Sequence, residues 1–123
     1  LINLCKKLKK KYSIKKENFL GHSDIAPLRK IDPGEKFPWK ELSIHNIGKW
    51  YEHEKKEIVI NTKKIRILFF KNLQKLGYRY FNIYKKNIRD IRVIRCFQMH
   101  YSPNNLNGKI DLKTYKISCF LTY

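Results

Sequence analysis

The sequence predicts an α+β chain in two parts: a helix, a short strand and an irregular loop, then a linker and three short helices. Three observations predict it. Apolar residues recur at helical spacing near the start. A brief apolar run stops at Gly21. From Thr62 onward, three helical patterns follow one another with turn signals between them.

Ile2, Cys5, Leu8 and Tyr12 fall on one stripe of a helix whose other positions hold Lys6, Lys7, Lys9, Lys10 and Lys11. Asn18-Phe19-Leu20 reads as a short buried strand ended by Gly21. Residues 21–38 show no sustained period and are broken by Pro and Gly, the mark of a loop. Pro38 suits the first turn of a short helix carrying Trp39 and Leu42, which stops near Gly48. Residues 51–61 read as a linker, charged from Glu52 to Glu57, with Ile58, Val59 and Ile60 as a brief extended piece. Thr62 is a suitable N-cap for a helix with Ile65, Leu68, Phe69, Leu73 and Leu76 at helical spacing, and Gly77 suits its end. The next helix puts Ile88, Ile91, Ile94, Phe97 and Tyr101 on one face and Arg89 and Arg92 on another. Asn107-Gly108 makes a turn. Asp111 then caps a last helix with Tyr115, Ser118, Cys119 and Leu121. Residues 1–50, 51–61 and 62–123 are thus three segments: a first domain, a linker and a helical module.

The 123 residues are 42% hydrophobic and 14% aromatic, which excludes a wholly disordered chain. No apolar run approaches the roughly 18 residues a membrane helix needs. The first residues form no signal peptide, but the chain starts at Leu1 rather than Met, inside the first helical pattern. A fragment is expected, with any targeting signal upstream. Lys and Arg exceed Asp and Glu by 28 to 10, a net charge of +18. Such a charge attracts polyanions. The abundance of Ile, Asn, Tyr and Lys also fits the codon usage of an AT-rich genome, in which lysine is the default polar surface residue. The basic residues are spread along the chain and no nucleic-acid-binding motif is present, so no specific nucleic-acid partner is expected. Cys5, Cys96 and Cys119 lack metal or redox spacing, and the last two read as buried small hydrophobes.

The segment from His22 to Asp32 carries the chemistry. Imidazole nitrogen and carboxylate oxygen are both zinc ligands, and catalytic zinc usually takes three protein ligands and a water. Lys30, two residues before Asp32, shares its face in an extended segment, and a cation there could steady an oxyanion. Spacing alone favours a second reading, in which His22 and Asp24 merely tie down a loop by hydrogen bonds.

The longer string is specific. Gly21-His22-Ser23-Asp24-Ile25-Ala26-Pro27, then Arg29-Lys30, Asp32-Pro33-Gly34 and Phe37-Pro38-Trp39, closely resembles the signature of the amidase-2 family, the AmpD-like and AmiD-like N-acetylmuramoyl-L-alanine amidases. Gly48-Lys49-Trp50 continues the match. Leu76-Gly77-Tyr78, Phe97 to Tyr101 and Asn107 to Asp111 resemble the helical, peptidoglycan-binding-like module of the AmiD-like branch. The resemblance implies that His22 is a zinc-binding histidine, Asp32 the zinc-binding carboxylate and Lys30 the catalytic lysine. It implies a Zn2+ cofactor and, as partners, peptidoglycan or muropeptides, cut between N-acetylmuramic acid and L-alanine. It also implies that residues 1–50 are the end of a mixed-sheet amidase domain: its final helix, last strand and active-site loop. The family's first zinc histidine and its general-base glutamate have no counterpart here, so the chain alone is expected to bind zinc weakly and hydrolyse little. A non-catalytic peptidoglycan-binding module, using Arg89, Arg92 and Arg95, is the second reading. AmiD-like relatives act in the periplasm and AmpD-like ones in the cytoplasm; the helical module favours the cell envelope.

Other candidates read as structural. His45 and His53 match no ligand of the family and read as surface residues. His100 reads as a partly buried packing residue or a sugar contact. Trp39, Trp50, Tyr78 and Tyr101 could stack on sugar rings, but buried aromatics commonly dominate small cores.

Overall fold

The computed structural model describes residues 1–52, 58 and 60–122. Its helices are α1 (Ile2–Tyr12), α2 (His22–Ile25), α3 (Trp39–Ile44), α4 (Ile65–Leu76), α5 (Asp90–Tyr101) and α6 (Leu112–Thr122), with a 3-10 turn at Lys16–Asn18. Among the described residues there is no strand and no sheet. The expected α+β class with a mixed-sheet remnant is therefore wrong for this chain, which is all helical. The physical reason lies at Asn18-Phe19-Leu20. The amides of Asn18 and Phe19 donate to the carbonyls of Lys15 and Lys16 at 3.0 and 3.3 Å. Backbone groups need partners, and here a local turn supplies them. Leu20 is 48% exposed, so the run is not buried either.

α1 forms as its spacing predicts and ends at Ser13 in the left-handed conformation (φ 53°). Its apolar stripe is only half used. Ile2 and Cys5 pack against Trp39, Leu42 and Ile47, whereas Leu8 and Tyr12 stay exposed. Lys9 Nζ donates to the carbonyl of Asn46 at 2.7 Å, tying the helix to the end of α3.

The main core lies among α4, α5 and α6. Phe69, Phe70, Leu73, Val93, Phe97, Tyr115 and Leu121 are buried there. Phe69 meets Phe97 edge-on with centroids 5.4 Å apart, a favoured aromatic geometry. α4 ends at Gly77 (φ 102°), a backbone angle that side chains resist. Thr62 is not its cap: Lys64 holds that position without a side-chain bond. Of the expected apolar face of α5, Ile94, Phe97 and Tyr101 are buried, but Ile88 and Ile91 are 86% and 50% exposed, and Val93 and Cys96 are buried as well. Asp90 explains the register. Its carboxylate accepts from the Asn87 amide at 2.9 Å and from Arg66 at 2.8 Å, which fixes the start of the helix after Ile88. Asp111 caps α6 as expected, accepting from the Thr114 amide at 2.9 Å. Burial alone would raise the Asp111 carboxyl, but hydrogen bonds from Thr114, Asn105 and Asn107 outweigh it and hold the pKa down to about 2. Of the expected linker, residues 53–57 and 59 lie outside the described residues. Trp50 before it and Tyr51 at its start pack on the helical core.

Gln98 is fully buried and joins α5 to the turn before α6. Its amide donates to Asn107 Oδ1 at 2.8 Å and Thr114 Oγ1 at 2.9 Å, and its oxygen accepts from the Gly108 amide at 2.8 Å. Gln98→Leu strands these partners in the interior. The expected loss is about 2–4 kcal/mol of unfolding free energy, since each unsatisfied buried group costs roughly 1–3 kcal/mol; urea titration checks it. The cysteines give a second test. Burial pushes the Cys96 thiol up to about 11, and Cys119 is fully buried. Because the thiolate is the reactive form, iodoacetamide at pH 8 should label the half-buried Cys5 alone, as read by peptide mass mapping. Labelling of Cys96 and Cys119 should require denaturant.

Candidate active site

The site is built on the single turn α2. Gly21 precedes it because no side chain fits: a Cβ there would lie 2.5 Å from Cδ of the Pro33 ring. Asp24, third in the turn, reaches back with Oδ2 to accept from the Gly21 amide at 2.9 Å, half of a capping box. The Ser23 amide donates to the carbonyl of Asp32 at 3.0 Å, folding the far end of the loop onto the turn. The two ends of a ten-residue excursion thereby meet.

His22 Nδ1 lies 2.6 Å from Asp32 Oδ2. Both side chains face solvent, 70% and 58% exposed. The hydrogen bond with His22 is the main cause that holds the Asp32 carboxyl below its ordinary value, with smaller help from the charges of His22 and Lys30. Lys30 is exposed beside it. The structure thus brings together His22 and Asp32, with Lys30 near enough to act on Asp32 electrostatically. Ligands of tetrahedral zinc at about 2.0–2.2 Å stand about 3.3 Å apart. The pair fits two corners of such a shell after a small opening of its hydrogen bond. Among the described residues, no group of three His, Cys, Asp or Glu could hold a metal ion.

Beneath the exposed pair lies a buried one. Asp24 is 7% and His100 3% exposed. His100 Nδ1 sits 2.9 and 2.8 Å from the two Asp24 carboxylate oxygens, and the Tyr78 hydroxyl donates to Asp24 Oδ1 at 2.6 Å. Burial, then the Asp24 charge, pushes the Tyr78 phenol well above its ordinary value, so it remains a donor. The His100 ring is sandwiched between Trp39 at 4.1 Å and Tyr101 at 3.9 Å. Its Nε2 has no hydrogen-bond partner among the described residues. Cys96 adds a further link, donating to the carbonyl of the buried Pro27 at 3.5 Å. The loop is therefore floored by α5 and by the residue after Gly77. Packing of His100 was foreseen, as were core roles for Trp39, Tyr78 and Tyr101; the pairing of His100 with Asp24 was not. The two stand 76 residues apart, and no local pattern marks such a contact. His45 is half-buried, and His53 lies outside the described residues.

No protein-family model matches the chain. It is 36% identical over 122 residues to the N-acetylmuramoyl-L-alanine amidase AmiD of Escherichia coli K12, an alignment covering 96% of this chain and 44% of AmiD. Its fold superposes on E. coli AmiD in complex with anhydro-N-acetylmuramic acid-L-Ala-D-γ-Glu-L-Lys with a TM-score of 0.79 and 34% identity, covering 98% of this chain and 48% of that one. It superposes on AmpDH3 of Pseudomonas aeruginosa with a TM-score of 0.78 and 30% identity, covering 98% and 49%. The chain thus spans just under half the length of the relatives it matches. In sequence and in fold the chain is thus similar to one part of the AmiD-like N-acetylmuramoyl-L-alanine amidases.

Proposed function

We propose that this chain contributes two zinc ligands, His22 and Asp32, and the oxyanion-stabilising Lys30 to a peptidoglycan amidase. The bond cut is the amide between N-acetylmuramic acid and L-alanine in peptidoglycan or muropeptides. One observation carries the reading: a histidine and an aspartate ten residues apart meet at 2.6 Å on an exposed loop. Zinc, when bound, supplies a Lewis acid for the carbonyl and for a water. The chain's own part is to hold the two donors convergent and to set the Lys30 cation where negative charge develops on the carbonyl oxygen. A third protein donor and a general base must come from another segment. The ligand bound to the E. coli relative illustrates the substrate class: its stem carries a free carboxylate on the γ-linked glutamate and another on the terminal lysine. The family's two locations, envelope and cytoplasm, both accommodate this chemistry; the helical module supports the envelope, and no helix among the described residues is long and apolar enough to cross a membrane.

The test is titration of the chain with Co2+ as a spectroscopic stand-in for zinc, followed by His22→Ala and Asp32→Ala. Binding undiminished in both variants overturns the ligand assignment. The second reading, a module that holds peptidoglycan without cutting it, is favoured only by the missing third donor among the described residues. It requires retention on insoluble peptidoglycan with no hydrolysis once the complementary segment is present.

A further inference from the structure

Of the chain's cations, 22 are lysines and only 6 are arginines. One cavity of about 470 Å3 reverses that proportion. It is lined by Ala26, Leu28, Arg29, Tyr80, Arg89 and Arg92: three arginines and no lysine. Codon usage accounts for a lysine-rich surface, and by the same argument it does not account for this lining. Arg66 is committed to Asp90, and Arg79 donates to the Tyr78 carbonyl. Arg29, Arg89 and Arg92 have no carboxylate partner among the described residues. Arg89 and Arg92, three apart at the start of α5, share one side of the helix. Arg29 reaches the same cavity from the His22–Asp32 loop. Tyr80, which forms part of the wall, is held at φ 74°, a conformation that non-glycine residues rarely adopt and that tends to persist at ligand sites.

We propose that this cavity is a carboxylate-recognition site that takes the free carboxylates of a muropeptide stem. The assignment of the ligand rests on the amidase reading above. A guanidinium offers a planar fork that matches a carboxylate in two parallel hydrogen bonds, which an ammonium cannot do. Ala26 and Leu28 give the cavity an apolar floor suited to the short side chains and methylenes between the anions. Arg29 is part of the same loop as His22 and Asp32, so one loop supplies both the pair and a cation of the cavity. The module thereby contributes to recognition of the stem and not only to support of the loop.

Isothermal titration of the chain with the tripeptide L-Ala-D-γ-Glu-L-Lys tests this. Arg89→Gln and Arg92→Gln should each weaken binding about tenfold, the scale of one charge-assisted hydrogen-bonded pair. Lys71→Gln removes one positive charge from the exposed side of α4, outside the cavity, and should change it less than about twofold, as surface charges are screened. The tripeptide with both carboxylates amidated should not compete. The proposal is overturned if Arg89→Gln and Arg92→Gln bind like the unmodified chain, or if the diamide binds as tightly as the free acid. It is equally overturned if inorganic phosphate binds in the cavity and the tripeptide does not. The cobalt titration keeps the two readings apart. Loss of tripeptide recognition leaves the His22 and Asp32 effect on cobalt intact, and an unaltered cobalt affinity in those variants leaves the tripeptide result intact.

Discussion

Asp24→Ala is expected to lower the free energy of unfolding by about 3–5 kcal/mol, since several buried donors lose their acceptor at roughly 1–3 kcal/mol each. The carboxylate collects three donors at once: the Gly21 amide, the Tyr78 hydroxyl and His100 Nδ1. Alanine strands all three in a region that is nearly sealed from water. Total stabilities of small domains are about 5–15 kcal/mol, so this loss is a large fraction of the whole. The graded series separates the contributions. Asp24→Asn keeps an acceptor and should cost less. Tyr78→Phe deletes one hydrogen bond and should cost about 1 kcal/mol. Urea titration of the three variants gives the order, and a loss below about 1 kcal/mol for Asp24→Ala would contradict the account of the pair, given the net worth of even one hydrogen bond.

The second large effect concerns the exposed pair. His22→Ala and Asp32→Ala should each weaken Co2+ or Zn2+ binding by the chain at least about tenfold, or about 1.4 kcal/mol. Both should leave the unfolding free energy within about 0.5 kcal/mol, as surface substitutions usually do, because both side chains are largely solvated. That contrast between Asp24 and its neighbours is diagnostic: on the proposed reading the buried carboxylate governs stability and the exposed one metal binding. Lys30→Ala should not weaken metal binding, since it removes a cation rather than a donor. In the protein that also carries the missing donor and base, it should lower turnover by about 10²–10³, the usual effect of deleting one oxyanion-stabilising group.

The helices were legible because their signals are local. The stripe of α1, the caps at Gly77 and Asp111 and the spacing within α4 all act over a turn or two. The strand was misread because an apolar triplet has no period of its own. Its fate depends on whether a partner strand is at hand, and here the Lys15 and Lys16 carbonyls claim the amides first. The start of the α5 face, at Ile88 and Ile91, was misread for a related reason. Nine of its twelve residues are buried, so apolar residues mark nearly the whole circumference and Asp90 decides the register. His22 and Asp32 were legible through a long motif. Their floor was not, because Asp24, Tyr78 and His100 are joined only by the tertiary fold.

The Asp24–His100 contact bears on how such a protein can be cut and recombined. Grafting the stretch from Gly21 to Gly34 onto a foreign framework would carry the His22 and Asp32 side chains but leave behind the imidazole and phenol on which the turn rests. The inheritable unit is the loop together with the helix beneath it, and a boundary drawn through the linker would divide what the interior has joined.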